Sequence, residues 1–499
     1  MRKDSKANVL TFNPFQNLDI DPDALKRDEG VAASTPPDSS LARKSAPQES
    51  FSPVHAPQNP SHQEEDADED FLLDDSLLPW VAQHASQEQQ RIHTEAVELM
   101  RANRWEDILA LFHPVETKVP ELADTGMDLE LRLKVSFALG QLERYDEAIQ
   151  CLQPTLEAHS HEFIVHSSIA YSAYMSLYAA QNRRILMTPA MKQERIALAH
   201  RHFELCRQIR PESVTSHYRE AMLYKQVERK TRKAIPLFQR AISLWENLEP
   251  KEKEKRHQER HKYIRSLYHL ASCFLDNGSP GAAHQSLSRC MEEDSGKDTL
   301  SLLFKHFAMG KILHAMGRSG EALQHLETAL AVAEKGQATD FVHELSARCA
   351  LALKQPEKAF SHISRIPREK RRPYVHWTES DVLWALGRTR EAMAVLNKSL
   401  ERDRRSRHKS LLRLAQLHYR ENDVERALAL AQEANRFRME TYGNEHDEAL
   451  FWIAGCLYKL GRYRDSLNTL ARLRQINPRH SMAVKLERKV RGAVHSDPS

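Results

Sequence analysis

Phe307-Ala308-Met309-Gly310-Lys311-Ile312-Leu313-His314-Ala315-Met316-Gly317-Arg318-Ser319-Gly320-Glu321-Ala322-Leu323-Gln324-His325-Leu326-Glu327-Thr328-Ala329-Leu330 reads as two helices with a tight turn between them. Apolar residues recur at spacings of three and four on each side of Gly317, the residue that ends the first helix. Gly310 sits inside that first helix, and Ala322, Leu326 and Ala329 line one face of the second. Antiparallel helices joined this closely approach only where a small side chain faces the partner, here Gly310 and Ala322. A large residue at Ala322 overpacks the crossing, at about 1–3 kcal/mol.

The second-helix pattern recurs as Ala148/Leu152, Ala199/Phe203/Cys206, Ala234/Phe238/Ala241, Ala283/Leu287/Cys290, Ala359/Ile363, Ala392/Leu396, Ala427/Ala431/Ala434 and Ser466/Leu470, with a degenerate first copy at Ile108/Phe112. The small–large–small second helix, the turn Gly461-Arg462-Tyr463-Arg464-Asp465-Ser466 and the closing Pro211 and Pro478 resemble the tetratricopeptide repeat family. That resemblance implies an all-α, right-handed superhelical solenoid of about ten hairpins over residues 86–499. The family unit is about 34 residues, whereas the intervals here run from about 33 to about 51. Tyr442 to Ala449, followed by Leu457 to Gly461, resembles the longer repeat of kinesin light chains, whose longer helices would explain one interval of about 39 residues. Intervals of about 50 before Ala199 and Ala283 call for extra helix or loop, at Gln181 to Arg195 and at Glu249 to Lys262.

Composition agrees with helices: only 15 of 499 residues are Gly, and 28% are charged. Residues 1–85 differ. They hold 9 of the 22 prolines and carry 7 Lys+Arg against 16 Asp+Glu, a net charge of −9 against +12 for the remainder. So polar a segment buries too little apolar surface to offset its ordering entropy and is expected to be a disordered acidic arm. Two apolar islands interrupt it, Leu10 to Phe15 and Phe71 to Val81, as in a short segment that folds on a partner; the alternative is that Leu77 to Val81 merely cap the first helix of the array. Six scattered cysteines form neither a CxxC pair nor a disulfide framework, the N-terminus lacks a signal-peptide apolar run, and no stretch has membrane-span length; a cytoplasmic protein is expected.

No phosphate loop, dinucleotide fingerprint, nucleophile elbow or HExxH occurs, so neither an enzyme nor a cofactor is expected. His257 and His261 stand one helical turn apart, but five basic residues between Lys251 and Arg260 oppose a cation, and no metal site is expected. His200 and His202 read as helix surface, and Cys206, Cys290 and Cys456 as core.

Stacked hairpins curve, and the first helix of each lines the concave side. That geometry directs Lys311, His314, Arg348, Asp381, Trp384, Gln416, Tyr419 and Tyr458 toward a groove whose cations, amides and rings suit an extended acidic or carboxylate-terminated peptide. Arg368, Arg371 and Arg372 in one inter-hairpin turn and Arg404, Arg405 and Arg407 in the next fall in register, as a basic ridge or as solvated turns. The expected function is a scaffold or adaptor that binds a protein or peptide, with the acidic arm competing for or extending that contact. The alternative is nucleic acid bound along the ridge. The sequence leaves the oligomeric state undetermined.

Overall fold

The computed structural model describes residues 87–124, 128–296, 299–403, 405–478 and 480–496. The expected arm, its apolar islands and Arg404 lie outside the described residues. The chain divides between Ser301 and Leu302 into two compact units, and among the described residues every regular element is helical.

In the first unit, α1 (Gln87–Arg101) pairs with α2 (Trp105–Phe112). Short α3 (Val115–Lys118) and α4 (Pro120–Asp124) lead to α5 (Leu129–Gln141) and α6 (Tyr145–Cys151), and α7 (Gln153–Ala158) leads to α8 (Phe163–Gln181) and α9 (Pro189–Ile209). Then α10 (Val214–Met222) runs into a π-helical turn, Leu223–Val227, and pairs with α11 (Thr231–Glu246). After α12 (Pro250–Lys255), α13 (Glu259–Asp276) pairs with α14 (Pro280–Glu293). The second unit is more regular. Its hairpins are α15 (Leu302–Ala315) with α16 (Ser319–Ala331), α17 (Asp340–Ala352) with α18 (Pro356–Ser364), and α19 (Pro373–Ala385) with α20 (Thr389–Arg402). They continue as α21 (Arg407–Arg420) with α22 (Val424–Tyr442) and α23 (Asp447–Lys459) with α24 (Tyr463–Ile476), and α25 (Ser481–Ser496) closes the unit.

Each of these ten hairpins turns through one left-handed residue just after its first helix. The residue is Gly at 278, 317, 387 and 461, Asn at 103 and 422, and Glu143, Arg183, Arg229 and Lys354 in the rest, with φ between 53° and 79°. The left-handed conformation lets the chain reverse while the helix end is capped. The recurring second-helix residues are all buried, including Ala322, Leu326 and Ala329. A Cβ on Gly310 would lie 2.8 Å from Leu326 Cγ and 3.3 Å from the Ala322 carbonyl oxygen, so the crossing has no room for a methyl group. Hydroxyls lock other hairpins: Ser136 donates to the Ala148 carbonyl, Ser286 to that of Leu267 and Ser466 to that of Ala454, at 2.8–2.9 Å.

The extra lengths are lengthened elements. Residues 182–188 form a loop before the 21-residue α9, with Leu186 99% exposed, and the six-residue α12 lies within the second interval. The interval near Tyr442 reflects the 19-residue α22, which ends at left-handed Gly443.

Candidate functional site

In the second unit the first helices stand side by side, α15 against α17, α17 against α19, and α21 against α23. Where α19 faces α21, rings and cations interleave. Trp377 is buried and donates from Nε1 to Ser410 Oγ at 2.8 Å, while Lys409 Nζ and Arg413 Cζ lie 5.2 and 5.1 Å from its ring centroid. Two turns further on, Arg420 Cζ covers Trp384 at 3.9 Å, and Lys459 Nζ of α23 sits 4.6 Å from the ring of Tyr419. Such contacts fix long cationic side chains against rigid rings, which lowers the entropy lost when they meet a ligand.

Acidic groups set the charge balance of this row. Asp381, with 44% of its side chain open, pairs with Arg413 at 3.8 Å. Glu344 is buried and accepts from Thr378 Oγ1. Enclosure by protein pushes both carboxyls above the ordinary carboxylate range, against the opposing pull of Arg348 and Arg413. The arrangement gathers three arginines, Arg348, Arg413 and Arg420, two carboxyls and a partly exposed indole.

The structure brings together Arg348, Asp381 and Trp384 of the expected groove set; Trp384 is 37% exposed. Lys311 is half-buried on α15. Four others turn elsewhere or pack. His314 is buried, and its Nδ1 bonds Ser319 Oγ at 2.9 Å within its own hairpin turn, because a ring this close to the turn finds its partner locally. Gln416 is buried. Tyr419 packs edge-on against Trp452 at 5.5 Å, and Tyr458 lies against Tyr463 at 5.9 Å, both on the apolar core of the unit. The residues missed in the sequence are Arg413 and Arg420. They share a helical stripe with Lys409 and Gln416 at spacings of three and four, and that stripe was the available signal.

The basic turns are less uniform than their composition. Arg368 and Arg405 are exposed and Arg372 is half-buried. Arg371 points inward: it donates to the carbonyls of Ile363 and Ile366, both at 3.1 Å, and pairs with Glu379 at 2.6 Å, tying the turn to α19. It is therefore a clamp within the hairpin junction rather than a member of a surface ridge. Arg407 pairs with Glu433 at 3.1 Å, and the Asp403 carboxylate accepts from the backbone N–H groups of Arg405 and Ser406.

Histidines depart furthest from the surface reading. His202 is buried with its Nδ1 2.9 Å from that of His166, and His200 spans Glu220 and Glu228 at 3.0 and 2.8 Å. Equivalent pairs cross two successive hairpins, His306 with His325 at 3.0 Å and His343 with His362 at 3.5 Å. In each pair an Nδ1–H of one ring donates to the bare Nδ1 of the other. Among the described residues no group of three or more His, Cys, Asp or Glu could hold a metal ion, and His257 faces the Glu254 carbonyl. No described helix is long and apolar enough to cross a membrane. All six cysteines are free and buried.

A family model described as "Tetratricopeptide repeat" matches residues 306–328, within the hairpin whose small-residue crossing is described above. That hairpin is a tetratricopeptide-type repeat. A second repeat-containing model, described as "Anaphase-promoting complex, cyclosome, subunit 3", matches residues 385–473, from the end of α19 into α24. The kinesin-light-chain likeness of the longer tetratricopeptide-type repeat there rests on the sequence alone. No curated protein matches the chain. Among solved structures, a tetratricopeptide repeat protein from Parabacteroides merdae is 13% identical, with 57% of this chain and 99% of that one covered at a TM-score of 0.43. Yeast Tom70 is 13% identical, with 82% and 96% covered at 0.38, and a human IFIT1 dimer with m7Gppp-AAAA is 15% identical, with 78% and 86% covered at 0.39. At such values the likenesses carry no functional weight. Tetratricopeptide-type repeats generally mediate protein–protein interactions.

Proposed function

We propose that this chain is a scaffold or adaptor that holds an extended segment of a protein partner against α17, α19 and α21. The observation that carries this reading is the gathering of Arg348, Arg413 and Arg420 about Asp381, with Arg420 stacked on the partly exposed Trp384. Arginines already braced on rings offer bidentate donors to carboxylates, and the indole offers an apolar surface to a neighbouring side chain. The partner segment is acidic or ends in a free carboxylate. Asp381 and Glu344 set its register by repelling a misplaced acid. A cytoplasmic setting fits six free cysteines. The acidic residues 1–85 modulate the contact electrostatically.

The test is affinity isolation with the full chain, nuclease-treated, comparing wild type with Trp384→Ala and Arg420→Glu. A protein partner retained by wild type and weakened at least tenfold in both variants supports the groove. Recovery of nucleic acid alone, or equal capture by all three proteins, overturns it. The nucleic-acid reading loses ground with Arg371 turned inward and Arg407 paired.

A further inference from the structure

The loop of residues 182–188 and the start of α9 carry apolar side chains that no described element covers. Leu186 is 99% exposed and Met191 41%, and Ile185 and Met187 on either side of Leu186 are half-buried. Every residue from Thr188 to Glu194 is exposed. Pro189 to Glu194 are the first six residues of α9, and six helical residues point in every direction around the axis. The first turn and a half of that helix therefore has no packed face.

Three hairpin turns meet beside this loop. Arg184 pairs with Glu143 of the turn between α5 and α6 at 2.8 Å, and Arg195 pairs with Asp146 of α6. On the other side, the Gln181 amide donates to the Gln226 carbonyl at 3.0 Å and accepts from the Arg229 guanidinium at 2.9 Å. Arg229 belongs to the turn Glu228-Arg229-Lys230-Thr231-Arg232-Lys233, whose four bases are all exposed. Glu228 is held by His200 and Lys230. Arg232 donates to Asn277 Oδ1 at 3.4 Å, and Lys233 lies 5.5 Å from the ring of Tyr224. Arg229, Arg232 and Lys233 are thus set against amides and a ring rather than carboxylates. Residues 183–195 and 228–233 together hold eight bases and two acids. The acids that face them from neighbouring elements, Glu143, Asp146 and Asp276 beside Asn277, reduce that excess to three.

We infer that Leu186 and Met191, with Arg183, Lys192, Arg229 and Lys233, form a docking site for an anionic lipid surface. Aliphatic side chains left in water gain by entering the acyl boundary of a bilayer, and lysine and arginine are drawn to its anionic headgroups. The bilayer meets both needs at once, and it accepts Leu186 without a pocket shaped to it. A nucleic acid would engage the cations and leave Leu186 and Met191 in water. Single strands are held by exposed rings, whereas Tyr224 is half-buried beside Lys233. The contact is peripheral and reversible, because a few aliphatic side chains or a few bases alone bind weakly and the two signals act together. The site shares no residue with the groove around Trp384, so either reading can fail alone.

Flotation of the full chain with vesicles of phosphatidylcholine containing about 30% phosphatidylserine, against phosphatidylcholine alone, is the direct test. Binding to the serine vesicles at least about tenfold stronger, and lost at about 0.5 M salt, is expected. Leu186→Asp should weaken it about tenfold, and so should Arg229→Gln combined with Lys233→Gln, each with thermal melting unchanged because the positions are exposed. A polarity-sensitive dye on Leu186→Cys labels selectively, since the six native thiols are buried, and should shift to the blue on serine vesicles. Equal binding by wild type and Leu186→Asp, or no preference for phosphatidylserine, overturns the inference. A dye shift produced by RNA or by a soluble protein fraction, and not by vesicles, overturns it as well.

Discussion

In residues 302–496 neighbouring first helices meet through rings and cations, Trp377 beneath Lys409 and Arg413 and Trp384 beneath Arg420. In residues 87–301 they meet through hydroxyls, a π-turn and cations without an interleaved indole, as in Ser167 with Arg219 and Tyr174 with Gln226. Both units nevertheless use the same left-handed turn and the same small–large–small second helix. The hairpin is thus governed by local rules that tolerate little change. The faces between first helices obey no such rule and are where two stretches of one array acquire different chemistry. Both family-model matches fall in the second unit, where hairpin lengths stay near the common repeat.

The largest expected contrast between the units is acid sensitivity. Burial pushes His314, His343 and His408 of the second unit down to about 4, assisted by Arg348, His362 and His446 respectively. In the first unit burial, with His166, takes His202 to about 4. Each is neutral when folded and protonates near 6.5 once unfolded, so the unfolded chain binds more protons between those values. Stability is full above pH 6.5 and falls as pH drops toward 4, by several kcal/mol in all. His480, raised by Glu448, and the raised carboxyls of Glu344 and Asp381 act in the opposite sense and offset part of this loss. Hydrogen exchange at pH 7 and 4.5 should show residues 302–496 losing protection first; simultaneous loss in both units would erase the contrast.

Next in size is a pair of glycine substitutions. Gly310→Ala forces a methyl group into Leu326 and should destabilise by about 1–3 kcal/mol. Gly140→Ala in α5 meets nothing within 4 Å and should stabilise by up to about 1 kcal/mol. Urea titration of each variant checks both signs. The smallest effect concerns the shared turn. Lys354→Gly and Arg183→Gly relieve a left-handed side chain and should each stabilise by less than about 1 kcal/mol, the relief being partly offset by the freer unfolded glycine. Gains of similar size would confirm that one turn serves both units, and a loss in either would separate them.

Much of the fold was legible. The second-helix patterns from Ile108/Phe112 to Ser466/Leu470 fall in the second helix of a hairpin, Leu152 alone lying just past its end, because an apolar stripe at helical spacing is written in consecutive residues. The turns were legible at Gly317 and Gly461 but not at Glu143 or Lys354, where hairpin packing imposes a conformation that the residue type does not announce. The candidate groove was legible in part. Arg348, Asp381 and Trp384 were placed by counting along the first helices, whereas His314 and Gln416 obey the same count and are buried.

The sequence by itself determined that this chain builds helical hairpins, where each second helix packs, and that charge is divided between an acidic N-terminal segment and a basic remainder. Only the tertiary structure decided which polar side chains meet. Trp377 and Ser410 are 33 residues apart and Tyr174 and Gln226 are 52 apart. A period of 3.6 residues says which face of a helix is apolar. It says nothing about which residue of another helix stands opposite, and that is fixed by how the hairpins stack.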